Sequence, residues 1–576
     1  MQLEFLDWTL ILSFFAIFII IGIVVAKRSG KNTKEFFLSG RNMPWWLLGI
    51  SMVATTFAAD TPNFVAGVIR EDGVYGNWIW WSFLLTGMLT VFFYSKLWRR
   101  SGITTDLEFY ELRYSGKPAA FLRGFRAIYL GVFFNIVIMA NVCLAAIKIG
   151  HVMFGLSAAE TLLISSVVTV IYSALGGLRS VLLTDFIQFI VAMVGSIWAA
   201  IYIVNLPEVG GMSKLLTVPE VAAKTDMLPD FTNMEVLIPL LIVPLAVQWW
   251  SVWYPGAEPG GGGYIAQRML AAKDEKNASW AVLFFNFAHY ALRPWPWIII
   301  GLASIIVFPN LDSLAQAFPN LDASFVRNDL SYPAMLTFLP AGLLGIVISS
   351  LIAAFMSTIS THLNWGSSYV VNDFYTRFLK PNASDKEQVL VGRISTVVMM
   401  LLAALLATIL EEARDAFNLL LQIGAGTGLL FILRWFWRRI NPYSEIAAMV
   451  ISFLIALVFF VNGKLDDPLF EMASHWQLVT GVVITTIGWL VVTMLTKPTD
   501  KATLEKFDAL IFEKESKFKG FGTKILAFFC GIIGVYSFLF ATGNFIYGDH
   551  TEGYILSGVA LVCTYLIFKF WNKSDN

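Results

Sequence analysis

Trp253-Tyr254-Pro255-Gly256-Ala257-Glu258-Pro259-Gly260-Gly261-Gly262-Gly263-Tyr264 is the stretch on which the reading of this chain turns. It follows an apolar run at 235–254, and its two prolines and five glycines end any helix that the run begins. A second apolar run, from Trp45 to Arg70, is interrupted at Ala54-Thr55-Thr56-Phe57-Ala58-Ala59-Asp60-Thr61-Pro62. Pro62 has no N–H for the carbonyl of Ala58 and crowds it, so the helix is expected to open there and free carbonyls from Ala54 to Ala58. Inside lipid an open backbone is tolerated only where it is buried in protein or lines a cavity.

Composition places both runs in a bilayer. The 576 residues are 57% hydrophobic and 14% charged, with mean hydropathy +0.69. Soluble proteins carry roughly 25% charged residues. Apolar segments recur near 8–26, 44–69, 77–98, 121–150, 156–175, 181–205, 235–254 and 279–308, then near 334–372, 389–410, 416–437, 444–462, 476–496, 525–543 and 554–571. That makes about fifteen crossings of a core that takes about 20 helical residues to span. The first is expected to be a retained helix, because MQLEFLDW lacks the basic start of a cleaved leader. The 497–523 connection is charged and mildly amphipathic, so it is expected to be a surface helix.

Alternate connections are basic: Lys27 to Arg41, Lys96 to Arg126 (with Arg113), Arg179, Arg268 to Lys276, Arg377 to Lys386, Arg434 to Arg439, Lys497 to Lys524, and Lys569 with Lys573. The opposite connections are acidic, as in Glu208 to Asp230 and Asp549 to Glu552. The positive-inside rule then places the chain in the plasma membrane as a multi-pass protein, N-terminus outside and C-terminus cytoplasmic. By that parity the two broken helices, second and seventh in order, cross in opposite directions. Paired broken helices of inverted topology mark a transporter with a five-plus-five inverted-repeat core and its site at the midplane. The expected fold is an all-α polytopic membrane protein with one extra N-terminal helix and about four C-terminal helices. Its divisions are 1–43 (extra helix and loop), 44–205 and 206–440 (the two repeats), and 441–576 (peripheral helices).

Several classes fall away. The net charge of +0 says nothing about nucleic-acid partners, because the charges are sorted by loop, and none is expected. Cys143, Cys530 and Cys563 are scattered in apolar segments without metal spacing, and no nucleophile–base pair stands out, so an enzyme is not expected. The expected partners are a small organic solute and the lipid bilayer, with the protein working as a monomer. No organic cofactor is expected.

Two features suggest what is bound. In Ala353-Ala354-Phe355-Met356-Ser357-Thr358-Ile359-Ser360-Thr361, positions 354, 357, 358 and 361 share one helical face and Ser360 flanks it. Sodium, a hard cation, prefers such oxygens together with freed carbonyls; membrane hydroxyls also back-bond to their own helix. Asp185 lies near the start of the sixth crossing, where an acid costs roughly 2.5–3.5 kcal/mol and is a functional candidate by default. Its alternative is an interfacial pair with Arg179.

At these residues the chain resembles the sodium–solute symporter family, which includes sodium–glucose, proline, pantothenate, sialic acid and iodide transporters. The resemblance runs over about 1–445 and rests on Pro44-Trp45-Trp46, Glu108-Phe109 with Arg113-Tyr114, and Gly176-Gly177-Leu178 with Thr184-Asp185-Phe186-Ile187-Gln188. It continues in Gln267-Arg268, Ala353-Ala354 with Met356-Ser357, and Asn372-Asp373-Phe374-Tyr375. It implies a leucine-transporter-like core and a sodium ion held at Ala54, Phe57, Ala354, Ser357 and Thr358. It implies also a second sodium at Asp185, Ser360 and Thr361, so that one or two Na+ ions act. Solute candidates are Thr56, Asp60, Thr61, Trp81, Ser82, Trp253, His289, Arg293 and Gln422.

The chain departs from the sugar-transporting branch. Ile79, beside Trp80 to Ser82, stands where a sugar-binding acid would lie, and His289 stands near the family's sugar-binding lysine. The 254–264 loop is also longer than the family's usual break. Arg293, within Arg293-Pro294-Trp295-Pro296-Trp297, suits a carboxylate, or else it pairs with Asp60, Glu258 or a helix carbonyl end. A sodium-coupled importer of a small solute, carboxylate-bearing rather than a neutral sugar, is the resulting expectation. Proton coupling through Asp185 or His289 is the alternative, and a non-transporting sensor a more distant one.

Overall fold

The computed structural model describes residues 3–29, 33–56, 58–410, 413–463, 465, 467–512 and 520–575. Among the described residues all regular structure is helical, and two isolated bridges, Met43 to Ala272 and Val252 to Ala425, join extended segments. Eleven described helices are long and apolar enough to cross a membrane. The other expected crossings fall on shorter or interrupted pieces: Phe5–Phe18, Trp45–Thr56, Ala158–Val167, and the pair Ala413–Gly424 and Gly428–Leu433.

The crossings expected at 156–175 and 181–205 are joined in one helical run of 47 residues, Ala158–Val204. A straight helix would hold Ser165 and Gly195 about 45 Å apart. Both instead face the same part of the helix Leu343–Ser368. Ser165 lines a cavity with Leu351 and Phe355, and a methyl on Gly195 would lie 3.3 Å from Ile346. The run therefore does not continue straight between them.

Both expected interruptions are present. The first helix breaks into Trp45–Thr56 and Asp60–Glu71. The opening lies ahead of Pro62 rather than at it. Pro62 is in the first turn of the second piece, where a missing N–H costs nothing because no intrahelical acceptor exists. Phe57 lies outside the described residues. The second helix runs over Met234–Ser251 and resumes as Gly263–Ala271. Between the pieces the Trp253 N–H donates to the carbonyl of Gly424 at 3.2 Å. Gly256 takes φ +84°, and a methyl there would stand 2.2 Å from the Tyr264 hydroxyl, so only glycine fits. Of the connection at 497–523, Lys501–Phe512 is helical and buries Phe507 and Ile511; residues 513–519 lie outside the described set.

Arg113, Arg126, Arg268 and Arg434, counted above among the loop charges, are buried. Arg126 and Arg434 stand 3.7 and 3.6 Å from Glu445, which also accepts from the Tyr114 hydroxyl at 2.7 Å. The Arg434 guanidinium lies 4.5 Å over the rings of Phe109 and Phe431. A tally of basic residues per loop does not distinguish a charge that meets water from one that pins a loop to a neighbouring helix.

Lys148, inside the helix Asn135–Phe154, is fully buried and pairs with Asp329 at 2.5 Å. Lys148→Met is expected to cost about 3–5 kcal/mol, because it leaves a buried carboxylate without its cation. Thermal unfolding in detergent checks this, and the double variant Lys148→Met with Asp329→Leu should recover most of the loss.

Candidate functional site

The helix Leu343–Ser368 lies across the opening of the first broken helix and is buried along nearly its whole length. Thr358 Oγ1 donates to the freed carbonyl of Thr55 at 3.0 Å, and Thr361 Oγ1 lies 3.4 Å from Thr55 Oγ1. Ser357 Oγ donates to Asp185, whose other oxygen accepts from Ser51 Oγ at 2.5 Å. Ser360 Oγ back-bonds to the Ser357 carbonyl at 3.0 Å. Ala54 and Ala354 are fully buried, so only their carbonyls have anything to offer an ion.

Asp185 is 0% exposed and held by these hydroxyls, not by Arg179. Its cation is Arg268. That guanidinium donates to Ser51 Oγ at 3.3 Å, to Thr55 Oγ1 at 3.3 Å and to Thr361 Oγ1 at 3.2 Å, and is braced by Gln267 Oε1 at 2.9 Å. The sequence reading placed Arg268 in a cytoplasmic connection. The usable signal was the pair Gln267-Arg268, two long polar side chains in a short apolar helix.

Beside this cluster lies a cavity of about 130 Å³, walled in part by Thr55 and Thr358. Thr56, Asp60, Thr61, His289 and Arg293 of the candidate list line it. Asp60 Oδ2 accepts from Asn141 at 2.7 Å, while Oδ1 makes no hydrogen bond of normal geometry, although the N–H groups of Asp60 itself and of Thr61 lie toward the carboxylate. Arg293 donates to the carbonyls of Thr56 at 3.1 Å and Val53 at 3.4 Å, touches His289 Nδ1 and lies 5.3 Å over the Trp297 ring. It therefore closes the carbonyl end of Trp45–Thr56, the helix-end alternative weighed above, while remaining on the cavity wall.

Trp81, Ser82, Trp253 and Gln422 do not line this cavity. Trp80 and Phe83, one turn apart, face it, so the intervening Trp81 and Ser82 point elsewhere. Trp81 packs on Trp78 and Phe540, with ring centroids at 5.8 and 6.3 Å. Trp253 packs edge-on against Phe134 at 5.0 Å, and Gln422 Nε2 donates to Gln477 Oε1 at 3.0 Å. The walls missed in the sequence are aromatic. Trp80 stacks on Tyr290 at 5.8 Å, and Phe83 stacks on Tyr254 at 5.5 Å. Asn141 and His362 were also missed, although polar residues inside apolar runs could have flagged them.

Two interrupted helices and a hydroxyl-rich third helix around a small central cavity, in an all-helical protein with many crossings, define a membrane transporter. The family model described as sodium:solute symporter matches residues 36–452, and the chain belongs to that family. It is 27% identical over 499 residues to the sodium/glucose cotransporter of Vibrio parahaemolyticus, covering 84% of this chain and 90% of that one. It is 25% identical over 501 residues to the sodium/sialic acid symporter of Proteus mirabilis, covering 84% and 95%. A solved structure of a Na+-coupled sialic acid symporter in a substrate-bound, outward-open state matches with a TM-score of 0.68 at 23% identity, over 87% of this chain and 99% of that one; the two share a fold. These relatives are transporters, not enzymes, and sodium-coupled symport is the activity the family brings.

Proposed function

We propose that this protein imports a small organic solute together with one or two sodium ions across the plasma membrane by alternating access, on a five-plus-five inverted-repeat core. The main ion is held at Ala54, Phe57, Ala354, Ser357 and Thr358, and a second at Asp185, Ser360 and Thr361. The observation that carries this reading is the bond from Thr358 Oγ1 to the Thr55 carbonyl at 3.0 Å. Where Leu343–Ser368 meets the opened helix, a cation between hydroxyls and freed carbonyls bridges two elements that must separate when the cavity changes sides. Each net charge moved inward at 100 mV adds roughly 2.3 kcal/mol of driving force.

The solute occupies the cavity between Asp60 and Arg293. Asp60 Oδ1, without a hydrogen bond of normal geometry, calls for a hydroxyl or ammonium donor, and the Arg293–His289 edge suits a carboxylate. Flat faces of Trp80, Tyr290 and Tyr254 hold the apolar part. The test is uptake into proteoliposomes of a labelled panel spanning carboxylates, zwitterions and neutral sugars, under an inward sodium gradient, an inward proton gradient, or neither. Accumulation of a carboxylate-bearing member driven by sodium alone is expected. Accumulation that follows the proton gradient and ignores sodium would overturn the ion assignment.

Asp60→Asn should lower apparent solute affinity about tenfold or more. It removes a hydrogen bond to a charged group, for which about 1.5–3 kcal/mol is usual. The sodium dependence of melting should be left in place, because Asp60 is not among the ion-site residues.

A further inference from the structure

The interrupted segment 252–262 carries an acid that the proposed sodium and solute sites leave unused. Glu258 is 2% exposed, and neither carboxylate oxygen makes a hydrogen bond of normal geometry, although the N–H groups of Gly256 and Glu258 itself lie toward it. It borders a second, smaller cavity of about 10 Å³, whose wall also carries Asn286, Thr86 and Thr90. A space of that size holds one water-sized particle.

Every side-chain oxygen these four residues bring to the cavity is an acceptor. Asn286 is 0% exposed; its Nδ2 is spent on the Val282 carbonyl at 2.8 Å, which fixes the amide and leaves Oδ1 without a partner. Thr90 Oγ1 gives its proton to the Thr86 carbonyl at 3.0 Å, and Thr86 Oγ1 gives its proton to the Trp249 carbonyl. A hydroxyl whose single proton is committed offers only lone pairs to anything else. The remaining polar side chain on the wall, Tyr290, makes no hydrogen bond to Glu258 or Asn286. The charge acting on Glu258 is another acid, Asp106, which is already satisfied by the Gly263 N–H at 2.9 Å and the Tyr369 hydroxyl. A buried carboxylate with no cation beside it, bordering a cavity whose other side-chain oxygens are acceptors, is a costly arrangement unless something positive joins it.

We propose that Glu258, Asn286, Thr86 and Thr90 form a binding site for one sodium ion, separate from the hydroxyl cluster at Ser357. The site carries one negative charge on its own ligands and so balances a monovalent rather than a divalent ion. A hard cation takes carboxylate, amide carbonyl and hydroxyl oxygens together, whereas a proton on Glu258 would satisfy a single acceptor and leave the rest open. Gly256, Ala257, Phe83 and Tyr290 wall both this cavity and the solute cavity, so the ion would sit against the solute and report its presence.

The experiment is a count of radiolabelled sodium bound per molecule of purified full-length protein at saturating concentration, for wild type, Glu258→Gln, Asn286→Ala, Thr90→Val and Ser357→Ala. Glu258→Gln and Asn286→Ala are each expected to bind one ion fewer than wild type. Thr90→Val should keep the count and weaken affinity about tenfold. Glu258→Gln combined with Ser357→Ala should lose ions from both places. A well-folded Glu258→Gln or Asn286→Ala that binds the wild-type number overturns the site. An unchanged count in Glu258→Gln, with the pH dependence of wild-type melting lost, overturns it in favour of a proton. A count lowered by Glu258→Gln and untouched by Ser357→Ala sustains this site and refutes the Ser357 assignment; the reverse pattern does the opposite.

Discussion

Ser357→Ala is expected to cut the rise in melting temperature that sodium gives the wild-type protein to what a separate site at Glu258 contributes, and to weaken sodium binding at the hydroxyl cluster about 10- to 100-fold. The hydroxyl donates to Asp185, and in the proposed site its lone pairs face the ion beside Thr358, which reaches the Thr55 carbonyl. Removing a hydrogen bond to a charged group costs about 1.5–3 kcal/mol, and each 1.4 kcal/mol is tenfold in affinity. By linkage the solute must lose affinity in sodium by the factor that sodium loses in solute. The measurement is thermal unfolding in sodium chloride against potassium chloride at equal ionic strength, wild type beside variant. A variant that sodium still stabilises as it does wild type places the ion elsewhere. A wild-type protein indifferent to the two cations would direct attention to proton coupling through Asp185 or His289.

Arg268→Met should be the most damaging single change near the site, costing about 3–5 kcal/mol of stability and abolishing uptake. Arg268 supplies the positive charge for Asp185, and through Ser51, Thr55 and Thr361 it ties Gly263–Ala271 to Trp45–Thr56 and Leu343–Ser368. Removing one partner of a buried charge system strands the other. Adding Asp185→Asn to Arg268→Met should therefore recover part of the lost stability, with a coupling of about 0.5–3 kcal/mol between the two sites and no recovery of uptake. Strict additivity in that cycle would mean that Arg268 acts only through its hydroxyl contacts.

Much of this was legible in the chain alone, because a bilayer is an unforgiving solvent. Pro255, Pro259 and the glycines around them must break a helix wherever they stand, and a break at membrane depth must be enclosed; the structure has both breaks, although the first precedes Pro62. The hydroxyl face from Ala354 to Thr361 follows from helical periodicity, a local property. The buried setting of Asp185 follows from its place in an apolar run.

Tertiary structure decided the partners. Nothing local shows that Arg268 reaches Ser51 and Thr361, 217 and 93 positions away, rather than facing cytoplasm with its loop neighbours. The sequence reading named Trp81 rather than Trp80 as a solute candidate; helix rotation against Tyr290 and Phe540 puts Trp80 on the cavity and Trp81 away from it. The sequence offered Glu258 only as an alternative partner of Arg293; the packed helices put it, with Asn286, on the wall of a water-sized cavity. Patterns within a segment obey backbone geometry and solvent, which the residues themselves specify. Which charges and oxygens meet depends on how distant segments pack, and that is a property of the assembled helices.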